Sequence, residues 1–135
     1  MKIVSLIVAE DDRDDQLLIR EAFEECDIDT KDIVFANDGE ELMDLLPKQE
    51  NETTLILLDL NMPRKDGREV LKEIRANDKT RHIPIIILST SQSSEDVKFT
   101  YKYGANTYFK KPSTFAELVS LCALVKEYWM EKAHI

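Results

Sequence analysis

Glycine and proline are scarce in this 135-residue sequence, which has only 3 Gly and 4 Pro. That excludes a collagen-like chain and a Pro/Gly-rich low-complexity one. Cysteine is nearly absent too. Cys26 and Cys122 stand alone, with no CxxC pair and no neighbouring His, so neither a disulfide framework nor a zinc site is expected and both thiols should be reduced. No apolar run approaches the roughly 20 residues of a membrane span. The apolar stretch 3–9 is too short for a signal-peptide core with its cleavage region and runs straight into Glu10-Asp11-Asp12. Basic residues are the last shortage, with 18 Lys and Arg against 27 Asp and Glu and a formal net charge of −9. Nucleic acids and anionic lipids bind clustered Lys and Arg, so neither is an expected partner, and the expected location is the cytoplasm.

What remains is ample for one compact domain: 43% of residues are apolar and 33% charged, with no linker and no second composition regime. Residues 1–135 therefore read as one domain. Four segments, 3–9, 33–36, 54–58 and 83–88, are continuous runs rich in Ile, Leu and Val, as expected for strands covered on both faces. Residues 107–110 form a weaker fifth. Between them lie helical patterns: 15–25 with Leu18, Ala22 and Phe23 on one stripe; 40–46, stopped by Pro47; 68–76 with Val70, Leu71 and Ile74. A fourth, 94–103, follows Ser93, which with Asp96 resembles a capping box, and a fifth runs from Thr114 to about Lys132. Alternation of this kind predicts a doubly wound α/β domain, a parallel sheet with helices on both faces.

Ligands of such sheets bind beyond the carboxyl ends of the strands. The first strand ends in Glu10-Asp11-Asp12, the third in Asp59, the fourth in Ser89-Thr90 and the fifth in Lys110-Lys111-Pro112. Taken singly, each is the kind of residue that caps a helix or meets solvent. Together they put acids, a hydroxyl and a lysine at one edge. Carboxylates crowded in one crevice repel one another unless a proton or cation intervenes. Hard oxygen ligands suit Mg²⁺, which commonly completes its shell with phosphate oxygens, while a lysine and a hydroxyl can hold the remaining oxygens of a phosphoryl group. A carboxylate can itself be the nucleophile that forms an acyl phosphate. The pairs Asp14-Asp15, Glu24-Glu25 and Glu40-Glu41 read as helix starts and solvated faces.

These residues, with Asp59 inside Leu57-Leu58-Asp59-Leu60-Asn61-Met62-Pro63-Arg64-Lys65-Asp66-Gly67, resemble the receiver domain of two-component response regulators over residues 3–130. The steps from Asp59 to Ser89 and from Ser89 to Lys111 fit that family as well. The resemblance implies a five-stranded parallel sheet of flavodoxin-like order 2-1-3-4-5 with five helices. It implies Asp59 as phosphoacceptor and an Mg²⁺ or Mn²⁺ site formed by Asp11, Asp59, the backbone carbonyl of Asn61, and Glu10 acting through water. Ser89 stands at the switch hydroxyl, Lys111 at the phosphate-pairing lysine and Tyr108 at the switch aromatic. Pro112 is expected to follow a cis peptide bond, and Gly67 to supply positive φ. Glu10 and Ser89 depart from the more usual Asp and Thr. The implied function is a phosphoacceptor switch rather than an enzyme. It would be served by a sensor histidine kinase or phosphotransfer protein and read by a downstream protein.

Finer vocabulary narrows the likeness. Residues 61–67, the run 89–96 and Tyr128-Trp129 resemble the single-domain regulators paired with bacterial and cyanobacterial phytochromes. With no output domain expected, signalling would pass through protein contacts at the face of helix 4, strand 5 and helix 5, or the phosphate would be passed onward. In the last helix Phe115, Leu118, Val119, Cys122, Val125 and Trp129 form a core stripe, and Leu121, Leu124 and Tyr128 a second apolar line suited to a homodimer or partner interface. Rival chemistries fit poorly. An FMN carrier needs a phosphate cradle where this chain has acids. A dehalogenase-type phosphatase needs an Asp where Asn61 stands, and a calcium loop lacks its Gly and terminal Glu. His82 and His134 read as surface residues.

Overall fold

The computed structural model describes residue 3, residues 5–46 and residues 53–133. Five parallel strands, β1 (Ser5–Ala9), β2 (Ile33–Ala36), β3 (Thr54–Leu58), β4 (Ile85–Ser89) and β5 (Thr107–Lys110), form one sheet in the order β2-β1-β3-β4-β5. Helices α1 (Arg13–Glu25), α2 (Gly39–Leu45), α3 (Gly67–Ala76), α4 (Ser94–Lys102) and α5 (Phe115–Val125) cover both faces. The expected strand order and element types are all present. Pro47 and His134 lie outside the described residues, and His82 is exposed.

Successive side chains of the central strands enter opposite cores, which is why these strands are apolar throughout. Leu6, Val8, Leu55, Leu57, Ile86 and Leu88 pack beneath α1 and α5. Their neighbours Ile7, Ala9, Ile56, Leu58, Ile85 and Ile87 pack beneath α2 and α3. Each helix begins with a side-chain cap. Asp12, Asp38, Asp66, Ser93 and Thr114 accept backbone N–H bonds from the first turns of α1 to α5. Three of the acids thus satisfy helix starts, all at the edge where the strands end.

Several expectations need correction. In α1 the buried stripe is Ile19, Ala22 and Phe23, whereas Leu18 is 42% exposed. Leu18–Ala22 and Ile19–Phe23 are equally good i, i+4 pairs, and only the packing partner selects between them. Strand β4 begins at Ile85 rather than 83, because Pro84 lacks an N–H for the ladder. The last helix does continue to Lys132, but Lys126–Lys132 is π-helical, with Ala133 N–H donating to the Tyr128 carbonyl five residues back. Leu121 is buried and Phe115 exposed, the reverse of the expected stripe, while Leu124 and Tyr128 are exposed. Cys26 and Cys122 are free, the second buried.

Gly67 has a different role from the one expected. Among the described glycines only Gly104 has positive φ. At Gly67 the constraint is space. A Cβ there would lie 2.3 Å from the Asp59 carbonyl oxygen and 2.7 Å from Leu60 Cα, both backbone atoms. The start of α3 therefore rests directly on the residues that follow β3, tied by Gly67 N–H to the Leu60 carbonyl at 3.0 Å. Gly67→Ala should destabilise the fold by about 1–3 kcal/mol through overpacking, as read by urea unfolding. A wild-type midpoint would disprove the close approach.

Candidate functional site

The sheet's hydrogen bonds extend one residue past β1 and β3, and this aligns the acids. Glu10 N–H donates to the Ala36 carbonyl at 3.0 Å and Asp59 N–H to the Ala9 carbonyl at 3.1 Å. Since Ala9 pairs with Leu58, Glu10 and Asp59 emerge side by side. On the other side Ser89 pairs with Lys110, and Lys111 N–H donates to the Ser89 carbonyl at 2.8 Å.

The Lys111 ammonium donates to Glu10 Oε1, to Asp15 Oδ2 at 3.2 Å and to Asp59 Oδ2 at 3.4 Å. Each of the two buried carboxylates spends its second oxygen on a backbone N–H two residues ahead. Asp12 N–H serves Glu10 Oε2 at 3.1 Å, and Asn61 N–H serves Asp59 Oδ1 at 3.2 Å. Glu10 and Asp59 are 2% and 6% exposed, while Asp11 is exposed. Burial pushes the Glu10 carboxyl from its ordinary 4.5 up to about 7, outweighing the Lys111 and Asp12 hydrogen bonds that favour its charge. Burial also raises Asp59, against the pull of Lys111. Lys111 moves the other way: burial would lower it, but the Glu10 hydrogen bond and the Asp59 and Glu10 charges together hold it protonated above its usual range.

Glu10, Asp11 and Asp59 each offer a carboxylate oxygen, all within 4.8 Å of one another. One ammonium cannot balance these three acids and Asp15 together. Hard oxygen donors converging with surplus negative charge, two of them desolvated, fit a divalent cation of the Mg²⁺ type.

The other expected residues separate into those at this cluster and those beside it. Ser89 is fully buried at the end of β4, its Oγ accepting Ser91 N–H at 3.2 Å. Half-buried Tyr108 donates its hydroxyl to the Ser91 carbonyl at 2.8 Å. Asn61 is exposed next to the acids, bonded to Asp59 through its backbone N–H. The expected cis bond before Pro112 is absent, since no described peptide bond is cis. The trans form is favoured by about 0.5–1 kcal/mol for X–Pro, and Lys111 is already held by the Ser89 carbonyl. Asp15, read from the sequence as a helix-start acid, is instead a partner of Lys111. Nothing in the sequence separates it from Asp14; only the rotation of α1 against β5 does. Gln16 was also missed. Its amide donates to the Glu10 carbonyl at 2.6 Å and to Asn37 Oδ1 at 2.9 Å, tying the first two loops of the edge.

The chain and its fold are similar to known proteins. The profile of the response regulator receiver domain matches residues 6–123. Response regulator Rcp1 of Synechocystis is 35% identical over 131 residues, 93% of this chain and 88% of that protein. The crystal structure of the Mn²⁺-bound form of response regulator Rcp1 aligns with TM-score 0.82 and 33% identity, covering 97% of this chain and 98% of that one. The phosphorylated cyanobacterial phytochrome response regulator RcpA aligns with TM-score 0.86 and 33% identity, covering 98% and 97%.

The raised carboxyls set a pH dependence. A folded-state pKa above the ordinary value means that the folded state binds the proton more tightly, so stability is lost as pH rises. For Glu10 the window runs from 4.5 to about 7, with Asp59 acting in the same direction. Without metal, melting temperature should therefore fall across this window, and Glu10→Gln should flatten the fall. Added Mg²⁺ should raise it by several degrees at the alkaline end and by less at the acid end. An equal gain at both ends would refute the assignment.

Proposed function

This chain belongs to the response regulator receiver domain family, and from that premise we propose that it is a phosphoacceptor switch that takes a phosphoryl group from a sensor histidine kinase or phosphotransfer protein onto Asp59. The observation that carries this reading is the single Lys111 ammonium bonded to Asp59 and Glu10, two members of a cluster of three carboxylates. In the transfer an Asp59 carboxylate oxygen attacks the phosphorus of a phosphohistidine; the P–O bond forms, the P–N bond breaks and the imidazole leaves with the electron pair. Burial keeps water from the Asp59 oxygens and makes the carboxylate more basic than an exposed one. Lys111 then leaves its carboxylate partners for the oxygens of the acquired phosphoryl group, and the buried Ser89 hydroxyl donates to another.

Glu10, Asp11, Asp59 and the backbone carbonyl of Asn61 would hold Mg²⁺ or Mn²⁺. A bound divalent cation offsets the charge of the acids and of the incoming phosphoryl oxygens. The likeness to phytochrome response regulators supports a phytochrome-type kinase as donor.

Output is assigned to the face of α4, β5 and α5. Strand β5 is the sheet's edge, and Tyr101, Leu124 and Tyr128 beside it are 49%, 59% and 61% exposed. Leu124 and Tyr128 line a groove with Phe109, Val125 and Trp129, a largely apolar patch suited to a downstream protein or a second copy. Tyr108 joins this face to the site through its bond to Ser91. The described residues contain no helix long and apolar enough to cross a membrane.

Incubation with acetyl phosphate and Mg²⁺ should add the mass of one phosphoryl group, and Asp59→Asn should abolish the addition. Equal labelling of the variant would refute Asp59 as acceptor. Light scattering should show a mass that grows with protein concentration, and Leu124→Glu should hold it at the monomer value. A concentration-independent monomer in the wild type would remove the homodimer from the reading.

A further inference from the structure

Asp96 sits at the third position of α4, where a capping box would turn its carboxylate back to the N–H of Ser93. Ser93 does cap the helix, accepting Glu95 N–H and Asp96 N–H at 3.2 and 3.3 Å. The reciprocal bond is replaced. Ser93 N–H donates to Ser91 Oγ at 3.2 Å, and Ser91 Oγ donates to Asp96 Oδ2 at 2.6 Å. The other Asp96 oxygen accepts both Nε and Nη2 of Arg68, at 3.0 and 2.8 Å. Arg68 in turn places Nη1 on Asp66, the cap of α3, at 3.1 and 3.2 Å.

Helix stability does not account for Arg68. A cation in the first turn of α3 opposes the helix dipole. Nor is this an ordinary surface pair: the Arg68 and Asp96 side chains are only 28% and 20% exposed, and the guanidinium bonds carboxylates at the starts of two different helices. The consequence is topological. Asp66 and Arg68 follow Asp59, while Ser91 and Asp96 follow Ser89, so one guanidinium ties together the helix starts that follow Asp59 and Ser89.

Ser91 is where this tie meets the site. Its carbonyl accepts from Tyr108, its Oγ bonds Asp96 and its N–H donates to Ser89 Oγ at 3.2 Å. A hydroxyl whose lone pair is occupied by a fixed N–H has its orientation restricted, leaving its own proton to be donated elsewhere. Resting on the phosphoacceptor reading above, we propose that Arg68 and Asp96 are positioning residues that act through Ser91 to hold the Ser89 hydroxyl ready for the phosphoryl oxygen. Donors fixed in advance stabilise developing or acquired negative charge without reorganisation.

The test uses the full chain and beryllofluoride with Mg²⁺ as the phosphoryl probe. Asp96→Ala and Arg68→Ala should each weaken beryllofluoride binding about 5-fold, the size of one hydrogen bond. Affinity for Mg²⁺ alone, read by calorimetry, should stay at the wild-type value, which a general loss of structure would not allow. In a Ser89→Ala background Asp96→Ala should have no further effect. Amide exchange at Ser91 in the unphosphorylated protein should quicken in Asp96→Ala. Wild-type beryllofluoride binding, full additivity with Ser89→Ala, a parallel fall in Mg²⁺ affinity, or unchanged Ser91 exchange would each overturn the proposal. If the wild-type protein binds no beryllofluoride, the Asp59 reading fails and the positioning role falls with it. The Ser91 exchange result would still report whether the Arg68–Asp96 tie exists.

Discussion

One ammonium among four carboxylates governs this molecule. Lys111 bonds Glu10, Asp15 and Asp59, and Asp11 stands close to two of them. Desolvating like charges costs several kcal/mol per ion unless each gains partners, so the arrangement persists only where partners are supplied from every side. The backbone supplies them: each buried acid has one oxygen on Lys111 and the other on an N–H two residues ahead. The remaining charge imbalance makes the site receptive to a cation.

The fold meets this demand by bringing strand ends together. Parallel pairing of β1 with β3 and of β4 with β5 fixes which residues emerge next to each other, and the helix starts at the same edge carry their own Asp, Ser and Thr caps. Gly67 lets α3 descend onto the Asp59 backbone. The acid excess of the sequence therefore has three uses at this edge: three caps, one cation cluster and one counter-charge for Lys111.

Beyond the cluster, bonds lead outward rather than ending at the site. Ser89 meets Ser91, and Ser91 meets both Tyr108 on the edge strand and Asp96 on α4. These bonds join the buried end of β4 to the edge strand, where Tyr108 N–H donates to the Tyr101 hydroxyl at 3.1 Å. Coupling of this kind requires contacts with two arrangements, and hydrogen bonds in a loop exchange partners more readily than a packed core deforms.

The sequence alone determined the elements, their alternation and the residue types at each strand end, because buried parallel strands and capped helices leave local patterns of composition. It carried Glu10, Asp11, Asp59, Ser89 and Lys111 as one set because each follows a recognisable apolar run. What the tertiary structure decided was everything that depends on how one element is rotated against another. Asp15 rather than Asp14 faces Lys111, Ile19 rather than Leu18 enters the core, and Asp96 turns to Ser91 and Arg68 instead of closing its own cap. The π-helical turn after Val125 and the close seat of Gly67 belong to the same class. Neighbouring positions on a helix are chemically equivalent until a second element packs against them, and that contact is long-range information no local pattern contains.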